Sequence, residues 1–178
     1  RSEALTGGGP AQAKRYSTPN NHSVVIRIDF GRASFLFLGD LQHDGFNDML
    51  DEYSANPKVF DVDVYLSAHH GAENGTSDRL LAAMSPKIAI ISMGDKSSTK
   101  PSSAFDHGHP RLSTIALMQD EPAIVSNTRT PITFWAADAE ETPFKSVKIS
   151  KAIYGTGWEG TLIVTAKADG TYSIAKAQ

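Results

Sequence analysis

Three short apolar segments dominate this chain, and each runs out on a side chain that can carry charge or bind a proton. Residues 34–38 lead into Gly39-Asp40, residues 61–67 run into Ala68-His69-His70-Gly71, and residues 87–93 end at Gly94-Asp95. The stretches between them follow a different period. Phe46, Met49, Leu50 and Tyr53 fall at i, i+3, i+4 and i+7, the apolar stripe of an amphipathic helix, with Asp44 placed to cap it. Ser77 is placed to cap a second, shorter helix carrying Leu80, Leu81 and Met84, which Pro86 ends. Strands alternating with helices build a layered α/β fold, and in such folds ligands gather at the carboxyl ends of the strands. The pattern therefore predicts an α/β chain that delivers Asp40, the His69-His70 pair and Asp95 to one edge of its sheet.

The rest of the chain is read around that frame. Residues 1–22 form an irregular lead-in, broken by Gly7-Gly8-Gly9-Pro10 and Ser17-Thr18-Pro19-Asn20-Asn21. Val24, Ile26, Ile28 and Phe30 alternate with Val25, Arg27 and Asp29, which predicts a half-buried strand joined through Gly31-Arg32 to the core strand that follows. A loop of about 15 residues after Gly94 is longer than most connections in a compact domain and so suggests function. It closes on Asp106-His107-Gly108-His109-Pro110, and Pro110 suits the first turn of a helix bearing Leu112, Ile115, Ala116 and Met118. Further short strands are expected at 123–126, 131–136, 147–153, 161–165 and 171–174, the last after an Asp169-Gly170 turn.

Composition narrows the chemistry. The 178 residues contain no cysteine, which excludes a disulfide scaffold, a thiol nucleophile and a thiolate metal site. Metal chemistry must use the six histidines and the carboxylates. Such an oxygen and nitrogen site suits zinc, manganese or iron, and can bring the pKa of a bound water toward neutrality. A net charge of -3 argues against a wholesale basic surface for nucleic acid, though not against a local groove. No apolar run approaches the roughly 20 residues of a membrane helix. There is no apolar signal stretch, and a start at Arg1 reads as a processed piece; localisation stays open.

Each candidate residue also has an ordinary reading. Asp40 can serve as a helix cap, His69-His70 as an exposed turn or packed core histidines, and His107 and His109 as loop stiffeners. His22 and His43 read as solvated, Asp44, Asp48 and Asp51 as an exposed helix face, and Trp135 and Trp158 as packing residues. The conjunction at the strand ends is what points to a metal site.

The succession Asn21-His22-Ser23-Val24-Val25-Ile26-Arg27, Phe35-Leu36-Phe37-Leu38-Gly39-Asp40, Leu66-Ser67-Ala68-His69-His70-Gly71, Ile90-Ile91-Ser92 and Gly108-His109-Pro110 resembles the metallo-β-lactamase superfamily, in particular the hydrolase domain of ComEC-type competence proteins. The resemblance covers residues 20–136 and implies an αββα sandwich with a metal site at one edge. With the irregular lead-in at 1–22 set apart, residues 23–136 match the C-terminal half of that fold, while residues 137–178 match nothing in the family and read as additional strands that complete or extend the sheet. By the same resemblance Asp40 matches the aspartate that bridges two metals. The His69-His70 pair supplies the last histidine ligand, with His70 favoured and the register open by one. The resemblance also implies that His109 is a substrate or transition-state contact that aids charge development or leaving-group protonation. From their place beside the long loop, and not from the resemblance, Lys96, Lys100 and Arg111 can meet phosphate.

One departure is large. The family's ligand cluster H-x-H-x-D-H belongs to the preceding half of the fold, and nothing here matches it. The chain's H-x-H, His107-Gly108-His109, lies after Asp40. Asp40 and one histidine make two ligands where a catalytic zinc takes about three from protein, and 178 residues fall short of the roughly 200 expected of the whole fold. The expected function is a metal-dependent hydrolase, a phosphodiesterase acting on nucleic acid or nucleotide through a dinuclear metal-activated hydroxide. Its cofactors would be two divalent ions, zinc first and manganese second, and its partner the N-terminal half of the same fold, carried upstream or on a second chain. Lactone, thioester and β-lactam substrates stay open. The alternative is a partial or degenerate module that binds nucleic acid or a partner without turnover. A third reading is the soluble hydrolase portion of a DNA-uptake membrane protein.

Overall fold

The computed structural model describes residues 16–94, 103–119, 125–140 and 142–177. After a short 3-10 turn at Pro19–His22, the chain forms an antiparallel hairpin of β1 (Ile26–Phe30) and β2 (Ala33–Phe37), with Ile28 opposite Phe35. Helix α1 (His43–Glu52) leads to β3 (Val64–Leu66), and α2 (Asp78–Met84) leads to β4 (Ile88–Ile91). Each of these two crossovers adds a parallel neighbour, as expected where a helix links consecutive strands. Beyond α3 (Leu112–Gln119), β5 (Thr128–Ala136) and β6 (Lys145–Lys151) form their own antiparallel pair. β7 (Ile153–Gly155) then returns to lie parallel to β4. The short α4 (Thr156–Glu159) precedes a second separate hairpin, β8 (Leu162–Ala166) with β9 (Tyr172–Lys176). The main sheet runs β1-β2-β3-β4-β7. The chain is α/β with a mixed sheet, the architecture expected from the alternation.

The core sits around β3 and β4. All four residues of β4 are buried, and Leu36, Tyr65, Phe46, Leu80, Leu81, Met84, Ile115, Met118 and Phe134 pack into one continuous apolar cluster with them. The β8–β9 hairpin is clasped to the sheet by Asp63, which accepts hydrogen bonds from the Tyr172 hydroxyl at 2.5 Å and the Ser34 hydroxyl at 3.0 Å, and pairs with Lys87 at 2.6 Å. Among the described residues, no helix is long and apolar enough to cross a membrane.

Several expectations change. β1 is not half-buried: Ile26, Ile28 and Phe30 are 49%, 48% and 55% exposed. Alternation reports a pleated strand but not whether anything covers the face, and β1 is the sheet's edge. Asp44 is not the cap of α1. Gln42 occupies that position, and the Asn21 side-chain oxygen caps the helix from outside, accepting from Gln42 N at 3.1 Å and Gly45 N at 3.3 Å. Asp44 lies in the first turn, where its charge complements the helix dipole. Ser77 does cap α2, accepting from Leu80 N at 3.2 Å. Pro110 precedes α3 instead of lying in its first turn, and its peptide bond is cis. The strand expected at 147–153 is divided at Ala152 between β6 and β7, which belong to different sheets. Residues 123 and 124 of the strand expected at 123–126 lie outside the described residues, and Val125 and Ser126 are not in a strand. Helix α4 had no counterpart in the sequence pattern.

Candidate functional site

The carboxyl ends of β2, β3 and β4 meet because the strands are parallel and in register. Phe37 lies opposite Leu66, and Leu66 opposite Ile90. Past the strands the alignment is kept by hydrogen bonds from Ser67 N to Ile90 O at 2.7 Å and from His69 N to Gly39 O at 3.0 Å. Asp40 is held in place from the other side, its N–H donating to the Ser23 hydroxyl at 3.1 Å.

The turn that carries the two histidines is strained. His69 (φ +49°), His70 (φ +55°) and Gly71 (φ +79°) are three successive residues in the left-handed region. A side-chain-bearing residue there costs about 1–2 kcal/mol, and such conformations persist only where the surroundings over-determine them. Here they do. The hydroxyl of fully buried Tyr65 accepts the Ala68 N–H at 3.0 Å. Ala72 N bonds back to His69 O at 2.9 Å, and Arg111 N to Gly71 O at 2.9 Å. A Cβ on Gly71 would come within 2.7 Å of the Pro110 Cβ, so the turn is pinned against the segment that carries His109.

The two histidines face different partners. His70 Nδ1 lies 2.6 Å from Ser92 O, so it carries the proton and donates. The other ring nitrogen, Nε2, stands 3.5 Å from Asp40 Oδ1. His69 Nδ1 is 2.9 Å from Asn74 Oδ1, and its Nε2 is 3.2 Å from the Asn20 amide nitrogen, so both ring nitrogens are engaged. Of the pair, His70 is the one whose second ring nitrogen meets Asp40. The imidazole geometry is that of a metal-binding histidine, with one nitrogen fixed by a backbone carbonyl and the other open. Among the described residues, however, no group of three or more His, Asp or Glu side chains converges as a metal-binding set.

His109 lies on the other side of His69, with ring centroids 5.2 Å apart, and His107 is 6.2 Å from His109. His109 is 7% exposed, and among the described residues its Nδ1 is buried without a partner. Burial pushes its pKa down from 6.5 to about 4, and the neighbouring His69, Arg111, His107 and His70 add to the shift. At neutral pH it is an uncharged imidazole. His69, His107 and His109 line a cleft of about 490 Å³ together with His43 and Arg111. Asp40 and His70 are not in its walls, so the cleft lies beside their pair. Lys96 and Lys100 fall outside the described residues. His22 Nε2 donates to Tyr16 O at 2.9 Å, and His22 is not among the residues that line the cleft. His43, read as solvated, is exposed but bonded to Thr76 O at 3.1 Å. Trp158 packs on Phe134 at 4.1 Å between ring centroids.

Sequence reasoning missed the residues that hold this edge in place. Asn20 and Asn21 were read as breakers, yet one touches His69 and the other caps α1. Asn74, Tyr65 and the Ser92 carbonyl were given no role. Only Asn20-Asn21, an odd pair of amides just before a strand that pairs beside Asp40's own, offered a signal.

A model of the metallo-beta-lactamase superfamily matches residues 2–95. The match takes in most of the lead-in that the motifs left out and stops short of Gly108-His109-Pro110. The chain is 27% identical to ComE operon protein 3 of Bacillus subtilis (strain 168) over 103 residues, 58% of this chain and 12% of that protein. It is 35% identical to Recombination protein 2 of Haemophilus influenzae over 80 residues, 42% of this chain and 9% of that protein. It is 33% identical to Competence protein ComA of Neisseria gonorrhoeae over 75 residues, 42% of this chain and 10% of that protein. The chain thus spans about a tenth of the length of these relatives. No solved structure matches it.

Proposed function

The chain belongs to the metallo-β-lactamase superfamily, and on that premise we propose that it serves as a metal-dependent hydrolase acting on phosphodiesters of nucleic acid or nucleotides. One observation carries the reading: the Asp40 carboxylate and Nε2 of His70 meet at 3.5 Å at the carboxyl edge of the parallel sheet. A carboxylate with a neutral imidazole is the donor chemistry of zinc and manganese, and the bond from His70 Nδ1 to Ser92 O supplies the outer support that orients such a ligand. The two side chains fit one side of a metal site. Its remaining ligands belong to the H-x-H-x-D-H half of the fold, carried on an upstream segment or a second chain.

Asp40 and His70 would hold divalent metal at this edge. Divalent metal at this edge supplies Lewis-acid polarisation of a phosphoryl oxygen and acidification of water. His109, uncharged at neutral pH, donates a hydrogen bond to charge developing on the substrate; with a pKa of about 4 it does not act as the acid that protonates the leaving group. The rigid left-handed turn at residues 69–71 keeps His70 aimed at Asp40 without reorganisation, which favours preorganised electrostatic catalysis. Names of relatives that refer to competence and recombination support nucleic acid as the substrate over lactone, thioester or β-lactam.

The test is metal analysis of the full-length native protein together with hydrolysis of bis(4-nitrophenyl) phosphate, in wild type and Asp40→Ala. Loss of metal and of hydrolysis in the variant supports the reading. Equal metal content and equal rates in both overturn it, and leave a module that binds nucleic acid or a partner without turnover.

A further inference from the structure

Arg111 is an unusual place to find a permanent charge. Its side chain is nine-tenths buried, with 10% exposed. Among the described residues its guanidinium makes no hydrogen bond: Nη1 is buried without a partner, and Nη2 stands 3.9 Å from the Glu140 carboxylate, beyond hydrogen-bonding distance. An arginine cannot shed its proton to escape the cost, because its pKa lies far above the physiological range. Buried charges are normally paired; the long ion pair with exposed Glu140 is the partner present, and it leaves the guanidinium's hydrogen-bonding capacity open to a further anion.

The surroundings are built to hold it there. Arg111 N bonds to Gly71 O, and its residue bridges Ala137 in parallel fashion, so the backbone is fixed on both sides. Gly108 adopts φ +66°, and a Cβ at that position would lie 2.8 Å from Arg111 Nη1. The guanidinium therefore occupies space that only a glycine leaves open. It lines the cleft of about 490 Å³ that also takes in His69, His107 and His109. The carboxylates on the same wall, Glu73 and Glu140, are exposed at its rim.

We propose that Arg111, cradled by Gly108 and facing the cleft beside His109, forms a phosphate-binding subsite next to the Asp40–His70 pair rather than at it. The ligand chemistry is a phosphate group with at least two accessible oxygens, which a guanidinium fork grips in bidentate fashion. The phosphate is either free or carried within a nucleic-acid strand. The choice of phosphate over other anions rests on the phosphodiesterase reading, while the subsite itself does not need turnover. Glu140 marks the mouth: its carboxylate approaches the guanidinium without bonding it, and an entering phosphate takes the contact that it leaves unmade.

Binding of inorganic phosphate and of the dinucleotide pTpT is measured by calorimetry on the full-length protein with EDTA present, so that no metal contributes. Wild type, Arg111→Met, Glu140→Gln and Asp40→Asn are compared, with circular dichroism to confirm that each is folded. Arg111→Met is expected to weaken binding about ten-fold or more, as loss of a charge-assisted bidentate contact does. Glu140→Gln is expected to tighten it by removing the competing carboxylate, an effect that a merely structural arginine would not show. Asp40→Asn, which removes no contact of the subsite, is expected not to weaken it. Tighter binding of pTpT than of phosphate assigns the subsite to a nucleic-acid strand, and equal binding assigns it to a free or terminal phosphate; either supports the subsite. No binding of either probe, or binding unaffected by Arg111→Met, overturns it. Because metal is absent throughout, failure here is separable from failure of the hydrolase reading.

Discussion

Lowering the pH should unfold this protein partly through one residue. His109 is buried and uncharged in the folded state, with its pKa pushed from 6.5 to about 4. The unfolded chain releases that imidazole to water, where it titrates near 6.5. Between those two values the unfolded state takes up a proton that the folded state refuses. The stability that His109 confers by staying neutral is therefore fully present above pH 6.5 and is lost as the pH falls toward 4. At 1.36 kcal/mol per pH unit, the interval amounts to about 3 kcal/mol, a large part of the 5–15 kcal/mol typical of a domain. Carboxylates such as Asp63 also lose their charge on acidification, so the effect is isolated by difference. Urea unfolding of wild type and His109→Gln at pH 7.5 and pH 4.5 should show the wild type losing about 3 kcal/mol more than the variant across that interval. The His109 ring should show no titration in NMR spectra until well below pH 6. Titration near 6.5 with parallel pH profiles for wild type and variant would refute both the burial argument and the neutral-donor role assigned to His109.

Three substitutions probe the frame of the site. Tyr65→Phe removes the hydroxyl that accepts the Ala68 N–H; the orphaned buried donor should cost about 1–3 kcal/mol in urea unfolding and loosen amide protection across residues 68–71. Gly71→Ala places a Cβ within 2.7 Å of the Pro110 Cβ at φ +79°, and should lower stability by about 1–3 kcal/mol. Ser77→Ala takes away the α2 cap and should cost about 1 kcal/mol in urea unfolding.

The sequence was most legible where one segment decides its own structure. The stripe Phe46, Met49 and Leu50 made α1, Ser77 capped α2, and three apolar runs became β2, β3 and β4. The delivery of Asp40 and His70 to one edge followed from topology, since parallel strands joined by helices leave their carboxyl ends together. What escaped depends on contacts between distant segments. The different surroundings of His69 and His70 come from Asn20 and Asn74 on the one and the Ser92 carbonyl on the other, three places far apart in the chain. The left-handed turn at residues 69–71 could not be read from His-His, a pair that rarely adopts it, and it exists because Tyr65 and Gly39 hold it. β1 looked half-buried because alternation is a property of the strand, whereas burial is a property of what lies against it. The division of one apolar stretch between β6 and β7 likewise reflects two sheets competing for adjacent residues.

The central claim is that Asp40 and His70, not His69, form this chain's side of a metal site. Metal content measured by inductively coupled plasma mass spectrometry on the full-length native protein tests it directly, in wild type, His70→Ala and His69→Ala. The account expects His70→Ala to lose bound metal while His69→Ala keeps it at the wild-type level. Metal retained in His70→Ala and lost in His69→Ala would contradict it.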